Sequence, residues 1–242
     1  MLRVPPFERG LTLGDFLVPI RVGERISARI RNAALVLLGV GIITAGAWIG
    51  FQVPALSLPF GIYVPENPYV PITLQTFGVL LTGASLGFRR GLASSGLYLL
   101  LGVVGLPVFA ADPETGIHPT GIARLATYTD GHLVLGSTGG YLIGFVAAAA
   151  IVGRLAELGW DRKVGGAVAA MLIGEVVIFA LGVAWLTAAI ALAIPAPVDA
   201  ALQSALQFGL WPFLPGDALK LLAAAGALPL GWWVVNRRPS DR

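Results

Sequence analysis

GGAVAAMLIGEVVIFALGVAWLTAAIALAI, residues 165–194, is a continuous apolar stretch whose single charged side chain is Glu175. A transmembrane helix needs about 20 consecutive apolar residues, and backbone groups surrounded by lipid must be paired within a helix or a closed barrel. Barrel strands are shorter and alternate apolar with polar residues, which this stretch does not do. The stretch therefore predicts a membrane-spanning α-helix, long enough to tilt or to extend beyond the bilayer.

Five further apolar blocks accompany this stretch, and the composition of the chain agrees with them. The 242 residues are 56% hydrophobic and 12% charged, which is about half the charge of a soluble domain. We predict an all-α integral membrane protein embedded in the lipid bilayer. Its six transmembrane helices are expected at about 33–51, 72–86, 92–109, 140–158, 165–194 and 218–235.

The basic residues predict the orientation of these spans. If six spans alternate, 14 of the 16 Lys and Arg residues fall on one side, Arg124 lies on the other, and Lys220 lies within the last block. Cytoplasmic loops are enriched in positive charge, so both termini are predicted to be cytoplasmic. The predicted organisation is a cytoplasmic N-terminal extension at 1–32, a six-helix domain at 33–236 and a cytoplasmic tail at 237–242. The extension lacks the apolar core and cleavage site of a signal peptide.

The loops on the opposite side, at about 52–71, 110–138 and 195–215, are long and rich in proline. Ordered loops of this length often carry function. We therefore predict a binding site that opens outward.

An acid and a base open the last apolar block. Pro215 and Gly216 break the chain, so a helix is expected to begin near Gly216, with Asp217 in a first turn that favours an anion. Lys220 follows three residues later and shares the same helix face. Such a pair can hold a small molecule that has both hydrogen-bond donors and an anionic end. The alternative is a self-paired lysine that reaches for the membrane interface.

Other positions are candidates for the same site. Gln75 can donate and accept hydrogen bonds, although glutamine also joins neighbouring membrane helices. Gly139 and Gly140 allow a close backbone approach, and Tyr141 adds a ring and a hydroxyl; tight helix packing is the alternative for this group. Glu175 must be paired or protonated inside a membrane, and either lines the cavity or serves as a structural hydrogen-bond partner.

The first block contains a different kind of feature. Gly41 and Ala45 have the small-xxx-small spacing that lets two helices approach closely. They are candidates for docking a partner subunit, or else for packing inside the bundle.

Several function classes receive little support. The chain has no cysteine, which excludes thiolate catalysis and cysteine-based metal sites. His118 and His132 lack metal-ligand spacing, so no metal site is predicted. GASLG at 83–87 matches the serine-nucleophile pattern, but Ser85 lacks the strand–turn–helix context that the pattern requires. The basic residues lie in short loops between apolar blocks, so no nucleic-acid partner is predicted. The phosphate-binding loop of ATPases is also absent.

Six stretches follow one another along the chain: PITLQT (71–76), LTGASLGFRRG (81–91), LLLGVVGLPVF (99–109), STGGYLIGF (137–145), LGVAWL (181–186) and PFLPGDALK (212–220). Together they resemble the biotin-specific S components of energy-coupling-factor (ECF) transporters, the BioY family. The resemblance implies the S-component fold, a location in the bacterial plasma membrane, and biotin bound in an outward-facing pocket. It also implies a transmembrane T subunit and two cytoplasmic ATPase subunits as partners, which accounts for the missing ATPase motif. No cofactor is expected, because biotin is the transported ligand.

The resemblance also implies that Asp217, Lys220 and Gln75 line the pocket, and more loosely that Gly139, Gly140 and Tyr141 do. An anionic acceptor suits the ureido N–H groups of biotin, and apolar walls suit its ring system. Lys220 can neutralise the biotin carboxylate or donate to the ureido carbonyl, and both options stay open.

The chain departs from the family pattern in three places. Ser137 replaces an expected proline, the loop around 112–136 is longer by a dozen or more residues, and about 30 residues precede the first block. The alternative functions are a solo biotin carrier, an S component for another vitamin, and an intramembrane hydrolase built on Ser85.

Overall fold

The computed structural model describes residues 12–17, 27–51, 56–58, 62–64, 72–112, 115–129, 131–194 and 197–237. Helices dominate these ranges. They are α1 (Leu13–Leu17), α2 (Ala28–Trp48), α3 (Gln75–Val103), α4 (Gly139–Glu157), α5 (Val164–Ala193), α6 (Val198–Gly209) and α7 (Leu214–Arg237).

Short antiparallel ribbons connect the helices. Between α2 and α3, β1 (Gly50–Phe51) pairs with β4 (Ile72–Thr73), and β2 (Leu56–Leu58) pairs with β3 (Ile62–Val64). Between α3 and α4, β5 (Ala126–Thr129) pairs with β6 (His132–Leu135) to form a hairpin. Within the described ranges, strands occur only in these connections, so the scaffold is helical, as the sequence predicts.

Four helices are long and apolar enough to cross a membrane: Ala28–Trp48, Gly139–Glu157, Val164–Ala193 and Leu214–Val235. Large apolar side chains on these helices, such as Leu37, Val176 and Leu222, are exposed on the outside of the bundle. A water-soluble protein rarely presents continuous apolar surface of this kind, and a lipid bilayer solvates it. Four of the predicted spans are therefore confirmed as apolar helices.

The remaining two predicted spans correspond to the two parts of α3. The chain reverses at Gly87, whose φ of 82° lies in the left-handed region that favours glycine. In a straight helix Gln75 and Tyr98 would lie about 34 Å apart, but their side chains are hydrogen-bonded at 2.6 Å. A Cβ atom on Gly91 would lie 3.0 Å from the Cα of Gly83. The two halves of α3 therefore pack against each other as a helical hairpin.

The core lies between α2, α3, α4, α5 and α7. Its most buried members come from all five helices and are small or aliphatic: Ile43, Val79, Ala148, Met171 and Leu228. Small residues let α3 and α4 approach closely, since a Cβ on Gly83 would lie 2.5 Å from the carbonyl oxygen of Ala149. This close packing sets the distance between the walls of the cavity described below.

One end of the bundle, here called the inner end, holds the Gly87 turn and the 3-10 turn Trp160–Arg162. The short helix α1 packs onto this end, where Asp15 pairs with Arg90 at 2.6 Å and the Phe16 ring meets Trp232 edge-on. The N-terminal extension thus contains a segment that contacts the bundle.

Several expectations about the elements differ from the structure. The spans predicted at 72–86 and 92–109 begin at Gln75 and end at Val103, because Gly105, with a φ of 111°, and Pro107 do not continue a helix. Helix α2 begins at Ala28, within the range assigned to the extension. Helix α7 begins at Leu214 rather than near Gly216, because a proline is tolerated in the first turn of a helix, where its missing N–H has no intrahelical partner. The predicted loop at 195–215 contains α6, which packs against α5.

Candidate ligand-binding site

A pocket that is partly open to solvent lies at the outer end of the bundle, opposite the Gly87 turn. Aromatic and aliphatic side chains form most of its wall, with a few polar groups between them. The lining residues are Thr73, Gln75, Thr76, Phe109, Ala110, Arg124, Thr138, Tyr141, Leu142, Phe145, Ile178, Phe179, Phe213 and Lys220.

The acid and base of α7 lie together beside this cavity. The ammonium of Lys220 donates to Oδ1 of Asp217 at 2.7 Å, and both side chains are buried. The hydroxyl of Thr76 is 3.4 Å from each of these two groups, which joins α7 to α3. Lys220 lines the cavity, whereas Asp217 lies behind it. Asp217 therefore holds the lysine ammonium at the wall, and the part that either plays in binding stays a prediction.

Gln75 lies at the first residue of α3 and is buried against the cavity. Its backbone N–H bonds the hydroxyl of Thr73 at 3.2 Å, and its Nε2 donates to the hydroxyl of Tyr98 at 2.6 Å. Its Oε1 accepts no hydrogen bond from the described part of the chain. Gln75 thus keeps one acceptor for a ligand and also joins two helical segments.

The predicted glycine–tyrosine group has divided roles. The Tyr141 ring lines the cavity, but its hydroxyl donates to the Gly209 carbonyl at 2.8 Å and ties α4 to α6. Gly139 and Gly140 are not among the lining residues. A Cβ on Gly139 would lie 2.8 Å from the Trp185 ring, so these glycines allow α4 and α5 to pack closely. The structure favours packing for the glycines and an aromatic wall for the tyrosine.

Glu175 is buried on α5, one turn from the lining residues Ile178 and Phe179, but it does not line the cavity itself. Neither of its carboxyl oxygens has a hydrogen-bond partner within the described ranges. It lies within electrostatic range of Asp217 and Lys220. Glu175 therefore belongs to the surroundings of the ion pair rather than to the cavity wall.

Arg124 lines the cavity and is absent from the sequence-based candidates. It ends the 3-10 turn Ile122–Arg124, which is anchored where the N–H of Gly121 donates to the carbonyl of Gly102 at 2.8 Å. Burial lowers the pKa of its guanidinium, and the charge of Asp112 partly opposes this effect. The only sequence signal was its position as the single basic residue in the outer loops.

The small residues of α2 divide between two faces. Gly39 and Gly46 face into the bundle, whereas Gly41 and Ala45 are exposed on its outside. A Cβ at Gly41 would meet no atom within 4 Å. Packing inside the bundle therefore does not explain Gly41 and Ala45, and partner docking stays a prediction.

The groups needed for the alternative enzyme do not converge. Ser85 lies near the inner end, beside the Gly87 turn, whereas the His118 ring bonds the Phe109 carbonyl at 2.7 Å next to the cavity. No group of three or more potential metal-ligating side chains occurs in the part of the chain that the structure describes.

These features define a class: a multi-pass helical membrane protein with a pocket at the outer end of its bundle. Its fold is similar to the crystal structure of the S-component for biotin from an ECF-type ABC transporter. The TM-score is 0.58, and the alignment covers 88% of this chain and 92% of the other at 24% identity.

Residues 22–237 match the model of the BioY family, and the chain belongs to that family. The biotin transporter BioY of Thermotoga maritima is 34% identical over 78% of this chain and 90% of the relative. The biotin transporter BioY of Rhodobacter capsulatus is 35% identical over 79% and 88%, and that of Rhizobium etli is 31% identical over 81% and 89%. The chain is therefore a bacterial transport protein of the membrane and not an enzyme. The predicted resemblance is confirmed.

Proposed function

We propose that this protein is the biotin-binding subunit of an ATP-driven ECF uptake system. The observation that carries the proposal is the buried Asp217–Lys220 pair beside an aromatic-walled cavity. A charged pair inside an apolar bundle is costly to maintain, so a ligand that uses the pair is its simplest explanation. The family membership and the names of the relatives support biotin as that ligand.

The polar groups of the cavity match those of biotin one by one. Lys220 uses two hydrogen bonds on Asp217 and Thr76, and an ammonium has a third N–H, which suits the ureido carbonyl. The free Oε1 of Gln75 suits a ureido N–H. Arg124 has no hydrogen bond from its guanidinium to any described residue, and a guanidinium suits the carboxylate tail. The aromatic walls suit the fused rings.

We also propose six transmembrane segments with both termini in the cytoplasm. The two halves of α3 fold back on each other at Gly87, and they supply the second and third spans along the chain, which bring the four apolar helices to six. Arg90 and Arg154 lie at the inner end, as expected of a cytoplasmic side. Exposed tryptophans, which favour the membrane interfaces, lie near both ends: Trp48, Trp160, Trp211 and Trp233.

The proposed partners are a transmembrane T subunit and two cytoplasmic ATPase subunits. The exposed face of α2 that carries Gly41 and Ala45 supports a docking site for the T subunit, since small residues allow close helix contact in a membrane. Substituting Gly41 by Leu is expected to weaken co-purification with the T subunit without changing biotin binding. Equal co-purification of the variant and the wild type would contradict this assignment.

Calorimetry of the purified protein tests the ligand. Biotin should bind tightly, while riboflavin and thiamine at the same concentration should give no heat of binding. Uptake of labelled biotin by cells with and without the T and ATPase subunits then separates an ECF-dependent protein from a solo carrier. Folded wild-type protein that does not bind biotin would refute the proposed function.

A further inference from the structure

Tyr98 is a buried tyrosine that stands behind the cavity rather than in its wall. It lies on the second half of α3 and is 1% exposed. Its ring packs edge-on against the lining residue Phe109, with 5.6 Å between the ring centroids. Its hydroxyl meets the amide of Gln75 at 2.6 Å, across the helical hairpin. Tyr98 therefore reaches the site through another side chain.

The contact between these two side chains has a directional consequence. A glutamine amide has a donor end and an acceptor end, and Nε2 is the end that bonds Tyr98. The acceptor end, Oε1, is left without a partner among the residues that the structure describes, although Gln75 lines the cavity. Without the tyrosine hydroxyl, the amide would lose its one side-chain anchor and would be free to rotate.

We propose that Tyr98 is a positioning residue that holds the Gln75 amide so that Oε1 accepts a hydrogen bond from a ring N–H of the ligand. This inference rests on the proposed function and assigns one ligand group to one atom of the site. A cyclic urea has N–H donors on both sides of its carbonyl acceptor. Lys220 as a donor and Gln75 as a fixed acceptor together select a ligand with a carbonyl beside an N–H over a lactone, which has no N–H to donate.

A double-mutant cycle tests the coupling. Tyr98→Phe removes the hydroxyl and keeps the ring, while Gln75→Met removes the amide and keeps a similar length. Each single variant is expected to bind biotin roughly five- to tenfold more weakly, in the range of one lost hydrogen bond. The double variant should bind no more weakly than Gln75→Met alone, because Tyr98 acts only through the amide. Losses that multiply in the double variant would overturn the proposal.

Two biotin analogues, each methylated at one ureido nitrogen, test the direction of the hydrogen bond. The wild type should reject one analogue more strongly than the other, since methylation removes the N–H that faces Gln75. That preference should shrink in Tyr98→Phe and disappear in Gln75→Met. An unchanged preference in Gln75→Met would overturn the assignment, and this readout holds even if Tyr98→Phe does not fold.

Ser95→Ala is the matched control. Ser95 is buried on the same half of α3, and its hydroxyl donates to the Gly91 carbonyl at 2.8 Å without lining the cavity. Its loss should lower the unfolding temperature and leave biotin affinity unchanged. If the wild type binds biotin but the losses in affinity of the two single variants multiply in the double variant, this inference alone is overturned. If the wild type does not bind biotin, the proposed function is overturned.

Discussion

Replacing Arg124 by Gln separates the recognition of the ligand's acid group from that of its rings. The guanidinium lines the cavity from an outer loop and lacks any described hydrogen-bond partner, so it is available for a carboxylate. A hydrogen bond to a charged group contributes about 1.5–3 kcal/mol. Arg124 is partly exposed, where water and salt screen its charge, so we expect the lower end. Biotin should therefore bind roughly tenfold more weakly to the variant.

The assay is calorimetry with two ligands, biotin and its neutral primary amide. Wild-type protein should prefer biotin, and Arg124→Gln should reduce or abolish that preference while binding the amide about as well as the wild type does. The loss for biotin should also shrink as salt is raised, because added ions already weaken the same interaction in the wild type. Equal losses for the acid and the amide would refute the reasoning, since Arg124 would then shape the cavity rather than bind the carboxylate.

Three further predictions concern other parts of the bundle. Asp217→Ala should weaken biotin binding by several kcal/mol in calorimetry, because it leaves the Lys220 ammonium buried without its partner at 2.7 Å; unchanged affinity would argue against a fixed ammonium. Burial raises the pKa of Asp161, outside the spans, to about 6. The folded protein thus favours the neutral carboxyl, so the contribution of Asp161 to the free energy of unfolding should be present near pH 4. That contribution should fall by on the order of 1–3 kcal/mol as pH rises through 6. Asp161→Asn should flatten this part of the curve of unfolding temperature against pH, and a curve of the same shape would count against the raised pKa. Gly87→Ala should lower the unfolding temperature, since its φ of 82° and ψ of −179° are open almost only to glycine and cost another residue about 1–3 kcal/mol; no loss would mean that the turn relaxes.

Local sequence patterns predicted the helical scaffold well because they act over neighbouring residues. The lipid requirement for paired backbone groups makes an apolar run such as Val164–Ala193 helical wherever it sits in the fold. The i, i+3 spacing likewise brings Asp217 and Lys220 onto one helix face. The break between the second and third apolar blocks was also visible, because the pair Arg89 and Arg90 interrupts them.

Contacts between distant residues were beyond that kind of reasoning. No local period relates Gln75 to Tyr98 or brings the loop residue Arg124 to a cavity between helices. Glycine content alone favoured packing for the glycines before Tyr141, while the family resemblance loosely implied ligand contact, and the position of the Trp185 ring supports packing.

Composition and short-range periodicity thus set which segments lie in the membrane and which charges share a helix face, since both depend on neighbours a few residues apart. The folding of the bundle decided which polar atoms end beside the cavity with a free hydrogen-bonding position. That outcome depends on how close the helices approach and where the chain reverses, and close packing at small residues such as Gly83, together with the turn at Gly87, sets both.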